Sequence, residues 1–231
     1  MKQLHFIIQA KGGVGKSLLT YLLALTQQNS SGSLFVDVDS STQTSTRQLH
    51  FLGDSRTESL SLLNDKEVLV RDNLISYLES LAESPFETIY FDFGAPESEQ
   101  LPALLERDVP FREFLDELGC EAHFHVVVGG GGAYAPSVAY LQKILKALQE
   151  QFEVTVWKSL TTFNNFPVLA EELQRNCQLM HLALKGFGDF EPSSNLGGQI
   201  LDGIRKGYQL AEYQTGARLR LKKELNVFNH E

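Results

Sequence analysis

Short apolar runs punctuate the chain at residues 4–10 (LHFIIQA), 33–39 (SLFVDVD), 87–94 (ETIYFDFG), 122–128 (AHFHVVV), 153–159 (EVTVWKS) and 179–185 (LMHLALK). Each has the length of a buried strand, and all but the last carry β-branched or aromatic residues. The first run is followed by a Gly-rich turn and then by KSLLTYLLALTQQ, apolar at helical spacing. The same spacing predicts helices over 74–83, 98–106, 111–118, 136–151 and 167–176, and two more after the last strand, at about 198–211 and 214–227. Apolar strands alternating with amphipathic helices predict an α/β fold, a mostly parallel central sheet with helices on both faces. No repeat, linker or shift in composition marks a boundary. Residues 1–231 are therefore expected to form a single domain that includes the C-terminal helical segment at about 198–228. Residues 40–73, rich in Ser, Thr and Asp, break the alternation and are expected to be a surface excursion with a short helix or two.

In a parallel sheet, ligands bind outside the carboxyl ends of the strands. The polar residues that matter are then those just after each apolar run: Lys11 to Ser17, Asp37 to Thr46, Asp92 to Pro96 and Gly129 to Tyr134. The first group, within AKGGVGKS, reads as a phosphate loop. Gly12, Gly13 and Gly15 let successive backbone N–H groups turn inward, and the helix that starts near Lys16 brings the positive end of its dipole to the same spot. Lys16 is placed to reach the β- and γ-phosphates of a nucleotide, and the Ser17 hydroxyl to ligate Mg²⁺. The general pattern GxxxxGK[ST] fails at one position, where Ala10 stands for the first glycine.

Composition narrows the partners. A hydrophobic share of 42% with 21% charged residues belongs to a folded chain, and a net charge of −9 repels nucleic acid and anionic membranes as a whole. The exception is the stretch 204–223, with Arg205, Lys206, Arg218, Arg220, Lys222 and Lys223 against Glu212 alone. Cys120 and Cys177 form no CxxC pair and suit a reducing, cytoplasmic setting. The apolar start is too short for a signal peptide, and no run reaches transmembrane length.

The segment KGGVGKS resembles the KGGxGK[ST] pattern of the ParA/MinD family of deviant Walker A ATPases, P-loop NTPases in which the first glycine is often absent. That resemblance implies an ATP- and Mg²⁺-dependent homodimer, with Lys11 crossing the interface to the partner's phosphates. It also implies that Lys11 to Leu18 (Lys11, Gly12, Gly13, Val14, Gly15, Lys16, Ser17 and Leu18) bind the nucleotide. FVDVDSSTQTST resembles the family's DxD segment, with Asp39 positioning the attacking water and Asp37 supporting the metal shell. Ser40 replaces the proline usual there. IYFDFGAPES resembles the Walker B segment, with Asp92 holding a magnesium-bound water and the Gly94 N–H reporting the γ-phosphate. The motifs cover about residues 1–130. No Asn ends the strand 153–159, which leaves Asn164, Asn165 or the segment 185–192 as candidates to meet the base.

Other features carry less chemistry. The glycines of VVVGGGGAYAP (126–136) lack dinucleotide spacing and suggest a flexible loop near the active edge. His123 and His125 share a strand face, where a structural role is expected, and Trp157 is expected in the core. Glu97 to Glu121, with eight acids and two arginines, reads as a solvated helical face. In the last helix Leu221, Leu225 and Phe228 form an apolar stripe, for packing on the domain or touching a membrane, while Arg218, Arg220, Lys222 and Lys223 could contact DNA non-specifically. Function then reads as a slow, partner-stimulated ATPase switch that positions a DNA or protein cargo, of the partition and plasmid-transfer branch more than the cell-division branch. The alternatives are a small-molecule phosphoryl-transfer enzyme of dethiobiotin-synthetase type and an ATP-binding scaffold without turnover. Cys120 before a strand and Cys177 in a helix argue against a shared iron–sulfur cluster.

Overall fold

The computed structural model describes residues 1–39, 44–63 and 70–228. All seven strands lie in one sheet, every neighbouring pair parallel: β1 (Lys2–Ile8), β2 (Ser33–Val38), β3 (Thr57–Ser59), β4 (Thr88–Phe93), β5 (Cys120–Val128), β6 (Glu153–Ser159) and β7 (Ala183–Phe187), in the order β3-β2-β4-β1-β5-β6-β7. Crossovers supply α1 (Lys16–Thr26), α2 (Thr44–Gln48), α3 (Asp72–Ala82), α4 (Ala95–Ala103), α5 (Phe111–Glu117) and α6 (Tyr134–Leu148). After β6 come α7 (Leu160–Phe163) and α8 (Pro167–Leu179), and after β7 come α9 (Asn195–Arg205) and α10 (Thr215–Leu225).

Alternation along each strand builds two cores. Phe6, Phe91 and Phe124 stack across β4, β1 and β5 at centroid distances of 5.0 Å, under Leu78, Leu101, Leu115, Ile144 and Leu173 of the helices on that side. On the opposite face Ile7, Phe35, Val127 and Trp157 meet Leu19 and Leu22 of α1, Ile200 and Ile204 of α9, and Leu221 and Leu225 of α10. Full burial of side chains this large stabilises the fold by roughly 1.5–3 kcal/mol each. The C-terminal stripe is therefore spent on the core: Leu221 is fully buried, and Phe228 stacks on Trp157 at 5.1 Å. The membrane-touching reading of that stripe falls with it. Among the described residues no helix is long and apolar enough to cross a membrane.

Three boundaries differ from the sequence expectation. The excursion at 40–73 contributes a strand, the three-residue β3 that pairs with Phe35–Asp37. Its sequence, TES, has no apolar member to reveal it. The run 179–185 is half helix end: α8 continues to Leu179, His181 takes a left-handed φ of 54°, and the strand starts only at Ala183. The helix expected at 98–106 begins at Ala95, where Pro96 fills the first turn, and passes into a wider π turn over Leu104–Asp108.

Candidate functional site

Sequence places a carboxylate at the end of β2 and another at the end of β4, and the register sets them side by side: Asp37 opposite Asp92 and Val38 opposite Phe93. Two residues on from Phe35 and Tyr90, both carboxylates face the side that α1 covers. The phosphate loop reaches this point from β1. Gly13 (φ 75°) and Gly15 (φ 103°) take left-handed backbone, and a side chain at Gly15 would also press on the Phe187 ring and the Ser159 hydroxyl, both 3.4 Å from its Cβ position. Buried Gln9 props the loop from below: its amide donates to the carbonyls of Val127 (2.7 Å) and Ser137 (3.3 Å), and its Oε1 accepts the Lys11 N–H at 3.1 Å.

A cavity of about 680 Å³ opens there, lined by Gly12, Gly13, Gly15, Lys16, Ser17, Leu18, Asp39, Gln48, Asp92, Gly94 and Arg205 among others. A second hollow of about 440 Å³, between Leu105–Glu113 and Gln149–Phe152, lies at the amino ends of β5 and β6 and gathers no such set of groups. Burial lowers the pKa of Lys16, while Asp92, Asp39 and Glu97 pull it the other way. Burial pushes Asp92 up to about 6, against hydrogen bonds from the Ser45 and Ser17 hydroxyls and the charge of Lys16. Asp37 is raised by burial too, opposed by the N–H and hydroxyl of Thr46, which donate to its Oδ2 at 2.8 and 3.0 Å.

The donor set suits a hard divalent cation. The Ser17 hydroxyl, Asp92 and Asp37 offer oxygen donors, and both Asp37 Oδ1 and Asp92 Oδ1 are buried with no hydrogen-bond partner among the described residues. Asp37 does not line the main cavity. It borders a small neighbouring recess with Ser45, Thr46 and Leu49. Lys11 is exposed at the outer lip of the loop, and Val14 turns into the core against Gly129.

Gly94 departs from its expected role. Its N–H donates to the Val38 carbonyl at 2.9 Å, so it is already engaged within the fold. What requires glycine here is room: a Cβ would overlap Glu97 and press on Asp39. Glu97 is itself a correction, since this carboxylate of the supposed solvated face is 3% exposed and lies beside the site. Ser45 and Thr46 lie in the polar stretch that the sequence marks, without an assigned role, whereas Gln48 and Arg205 are not marked as site residues by the sequence. Gln48 sits in the irregular excursion, and Arg205 counts there only as part of a basic stretch.

The other candidates separate. Gly129 to Gly132 do not line the cavity: Gly129 fits against Val14, and Gly130 donates its N–H to Thr162 at 2.8 Å and would clash with the Thr162 carbonyl if it carried a Cβ. Close packing accounts for Gly129, Gly130 and Gly131, whereas a Cβ at Gly132 would meet open space. Asn164 and Asn165 are exposed outside the cavity. The segment 185–192 flanks the loop instead, with Phe187 against Gly15 and Gly188 against Leu18. From its far side α10 grips it: buried Glu224 accepts the Gly188 N–H at 2.6 Å, and Arg220 bonds the Asp189 carbonyl and carboxylate at 2.5 and 2.7 Å.

His5, His123 and His125 converge on the α1 side of the sheet, with ring nitrogens within 4.8 Å of one another. The Trp157 indole N–H donates to His125 Nδ1 at 2.9 Å. Neutral His125 must then carry its proton on Nε2, which faces His5 Nδ1, also at 2.9 Å. A metal on that Nε2 would have to expel the proton while the indole still blocked Nδ1, whereas a metal-bound histidine ordinarily donates from its other nitrogen. His5 and His125 are hydrogen-bonded, His123 stacks on His125 at 4.3 Å, and burial with the neighbouring His123, His5 and Lys185 holds His125 well below the usual histidine range.

No protein-family model and no curated protein sequence matches the chain. Solved structures do. The chain is similar to MinD in the MinC:MinD cell division protein complex of Aquifex aeolicus, with 12% identity over 100% of this chain and 96% of that one and a TM-score of 0.56. It is likewise similar to the MinD cell division protein of Aquifex aeolicus, with 12% identity, 100% and 98% coverage and a TM-score of 0.55. At that identity the likeness establishes the fold: a MinD-like α/β domain with an all-parallel seven-stranded sheet.

Proposed function

We propose that residues 1–231 form a single ATPase domain of ParA/MinD type, an ATP-dependent dimerisation switch with slow turnover. One observation carries the reading: a glycine loop, Lys16 and Ser17 face Asp39 and Asp92 across one cavity, while Lys11, next to Gly12 of its lining, stands exposed. The loop N–H groups and Lys16 bind the phosphates. Ser17 and Asp92, with Asp37 behind them, would hold Mg²⁺, whose chemistry is to neutralise charge on the β- and γ-phosphates. Asp39 orients the attacking water, and Lys11 reaches the nucleotide of a second copy. The MinD-like fold supports this reading, and the MinC:MinD neighbour supports a protein partner for the switch.

The branch we favour is partition or plasmid transfer, on the strength of the cations of α10. Arg220 is taken up by Asp189 and Glu224, which leaves Lys222 and Lys223 exposed and Arg218 half-buried to meet a DNA cargo. Molar mass in solution tests the switch. Wild type with ATP and Mg²⁺ is expected to dimerise, and wild type with ADP and Lys11→Ala with ATP are expected to stay monomeric. A monomer in all three states overturns the dimer reading and moves the chain to the small-molecule phosphoryl-transfer class.

A further inference from the structure

The cavity holds a cation that the phosphate-loop pattern does not provide. Arg205, the last residue of α9, lines the same hollow as Lys16, Ser17 and Asp92, although it lies 188 positions after Ser17 in the chain. Its placement is built in. Ile204 before it is 4% exposed in the core, and Gly203 leaves just the space that the Tyr213 ring fills. Gly207, with φ 66°, turns the chain away against His50 and Gln48, where a Cβ would collide with the imidazole. The adjacent Lys206 is tied to Asp202 at 2.7 Å, whereas among the described residues no hydrogen bond or ion pair holds Arg205. On the same wall Gln48 Oε1 is buried without a hydrogen-bond partner among the described residues, an acceptor that would orient a guanidinium turned inward.

Charge balance gives this arginine a task. A Mg²⁺ held by Asp92 would offset that carboxylate and Asp39 offsets Lys16, so Arg205 is the fixed cation of the wall left over for a polyanion. We propose that Arg205 binds the polyphosphate of the nucleotide held by its own chain, a contact supplied in cis and additional to Lys16, with Gln48 setting its orientation. The proposal rests on the nucleotide reading above. A guanidinium matches phosphate oxygens two at a time, which an ammonium does not.

Titration calorimetry with Mg–ATP, ADP and AMP on wild type, Arg205→Ala, Arg205→Lys and Lys206→Ala tests it. Arg205 and Lys206 are both exposed, so their removal should leave the fold intact, and Lys206→Ala is the control for general surface charge. Arg205→Ala is expected to weaken Mg–ATP by about tenfold or more, with little effect on AMP, while Arg205→Lys recovers part of the loss. Lys206→Ala should bind as wild type does. If wild type binds ATP and Arg205→Ala binds it equally well, the inference falls and the nucleotide site stands. If wild type binds no polyphosphate, both fall together.

Discussion

Two polar clusters occupy the same face of the same sheet and have opposite characters. The histidine cluster on β1 and β5 finds its partners within the fold: the Trp157 indole donates to His125, His125 pairs with His5, and His123 pairs with the Thr155 hydroxyl at 2.9 Å. The cluster at the carboxyl ends of β1, β2 and β4 leaves acceptors over, among them Asp37 Oδ1, Asp92 Oδ1 and Gln48 Oε1. A buried polar group without a partner costs on the order of 1–3 kcal/mol. Asp92 and Gln48 line the main cavity and Asp37 the recess beside it, so these acceptors stand where a bound cation or donor would meet them. Buried polar groups thus read as structure where each meets a partner and as a site where acceptors are left over.

The largest effect should come from Lys16→Ala, which is expected to weaken ATP by about 100-fold or more in a calorimetric titration while leaving the histidine cluster and thermal stability nearly unchanged. Retained affinity would put the phosphate contact elsewhere. Asp92→Asn comes next and separates binding from stability. A carboxyl whose folded pKa is raised from 3.8 to about 6 contributes stability below its unfolded pKa and loses it as pH rises through 6. Removing that buried charge should stabilise the nucleotide-free protein at pH 7.5 by on the order of 1–3 kcal/mol, seen as a higher melting temperature, while Mg²⁺-dependent turnover is lost. A lower melting temperature would show that Asp92 is a structural ion.

Trp157→Phe probes the histidine cluster. It leaves His125 Nδ1 without its donor and should destabilise by about 1–2 kcal/mol in urea unfolding, with ATP affinity unchanged. A matching fall in affinity would mean that the two clusters are coupled. The smallest effect is a slope. His125 is held below its unfolded pKa of 6.5, so the unfolded chain binds the extra proton and stability falls as pH drops below about 6.5. Asp92 works in the opposite sense between 3.8 and about 6 and partly masks that loss. Urea midpoints between pH 7.5 and 5 should therefore fall more steeply in Asp92→Asn than in wild type, and parallel curves would remove one of the two shifts.

Local signals announced the phosphate loop, because its glycines, lysine and serine are consecutive and sit between an apolar run and a helical one. They also announced Asp37, Asp39 and Asp92, each at the end of such a run. Arg205 and Gln48 gave no such notice, since only the packing of α9 beside α2 brings them to the loop. Glu97 misled for a related reason: charge density along a helix says nothing about the one carboxylate that turns inward. Strand β3 escaped because three polar residues pair through backbone alone. His123 and His125 share a strand face as their spacing predicts, but His5 and Trp157 join them only when β1, β5 and β6 are side by side.

The position of β1 in the sheet has a consequence for synthesis. Its neighbours are β4 and β5, so Ile7 waits for Asp92, and Ile8 and the Gln9 amide wait for Val126 and Val127, well over 100 residues later for the last two. Contacts so distant in sequence form late, and on a growing chain they cannot form before their partners have left the ribosome. A nascent chain of eighty residues therefore carries every letter of the phosphate loop with neither wall to shape it. Nucleotide can act as a ligand of the finished sheet, and so as a late check on its assembly, but it cannot serve as an early template.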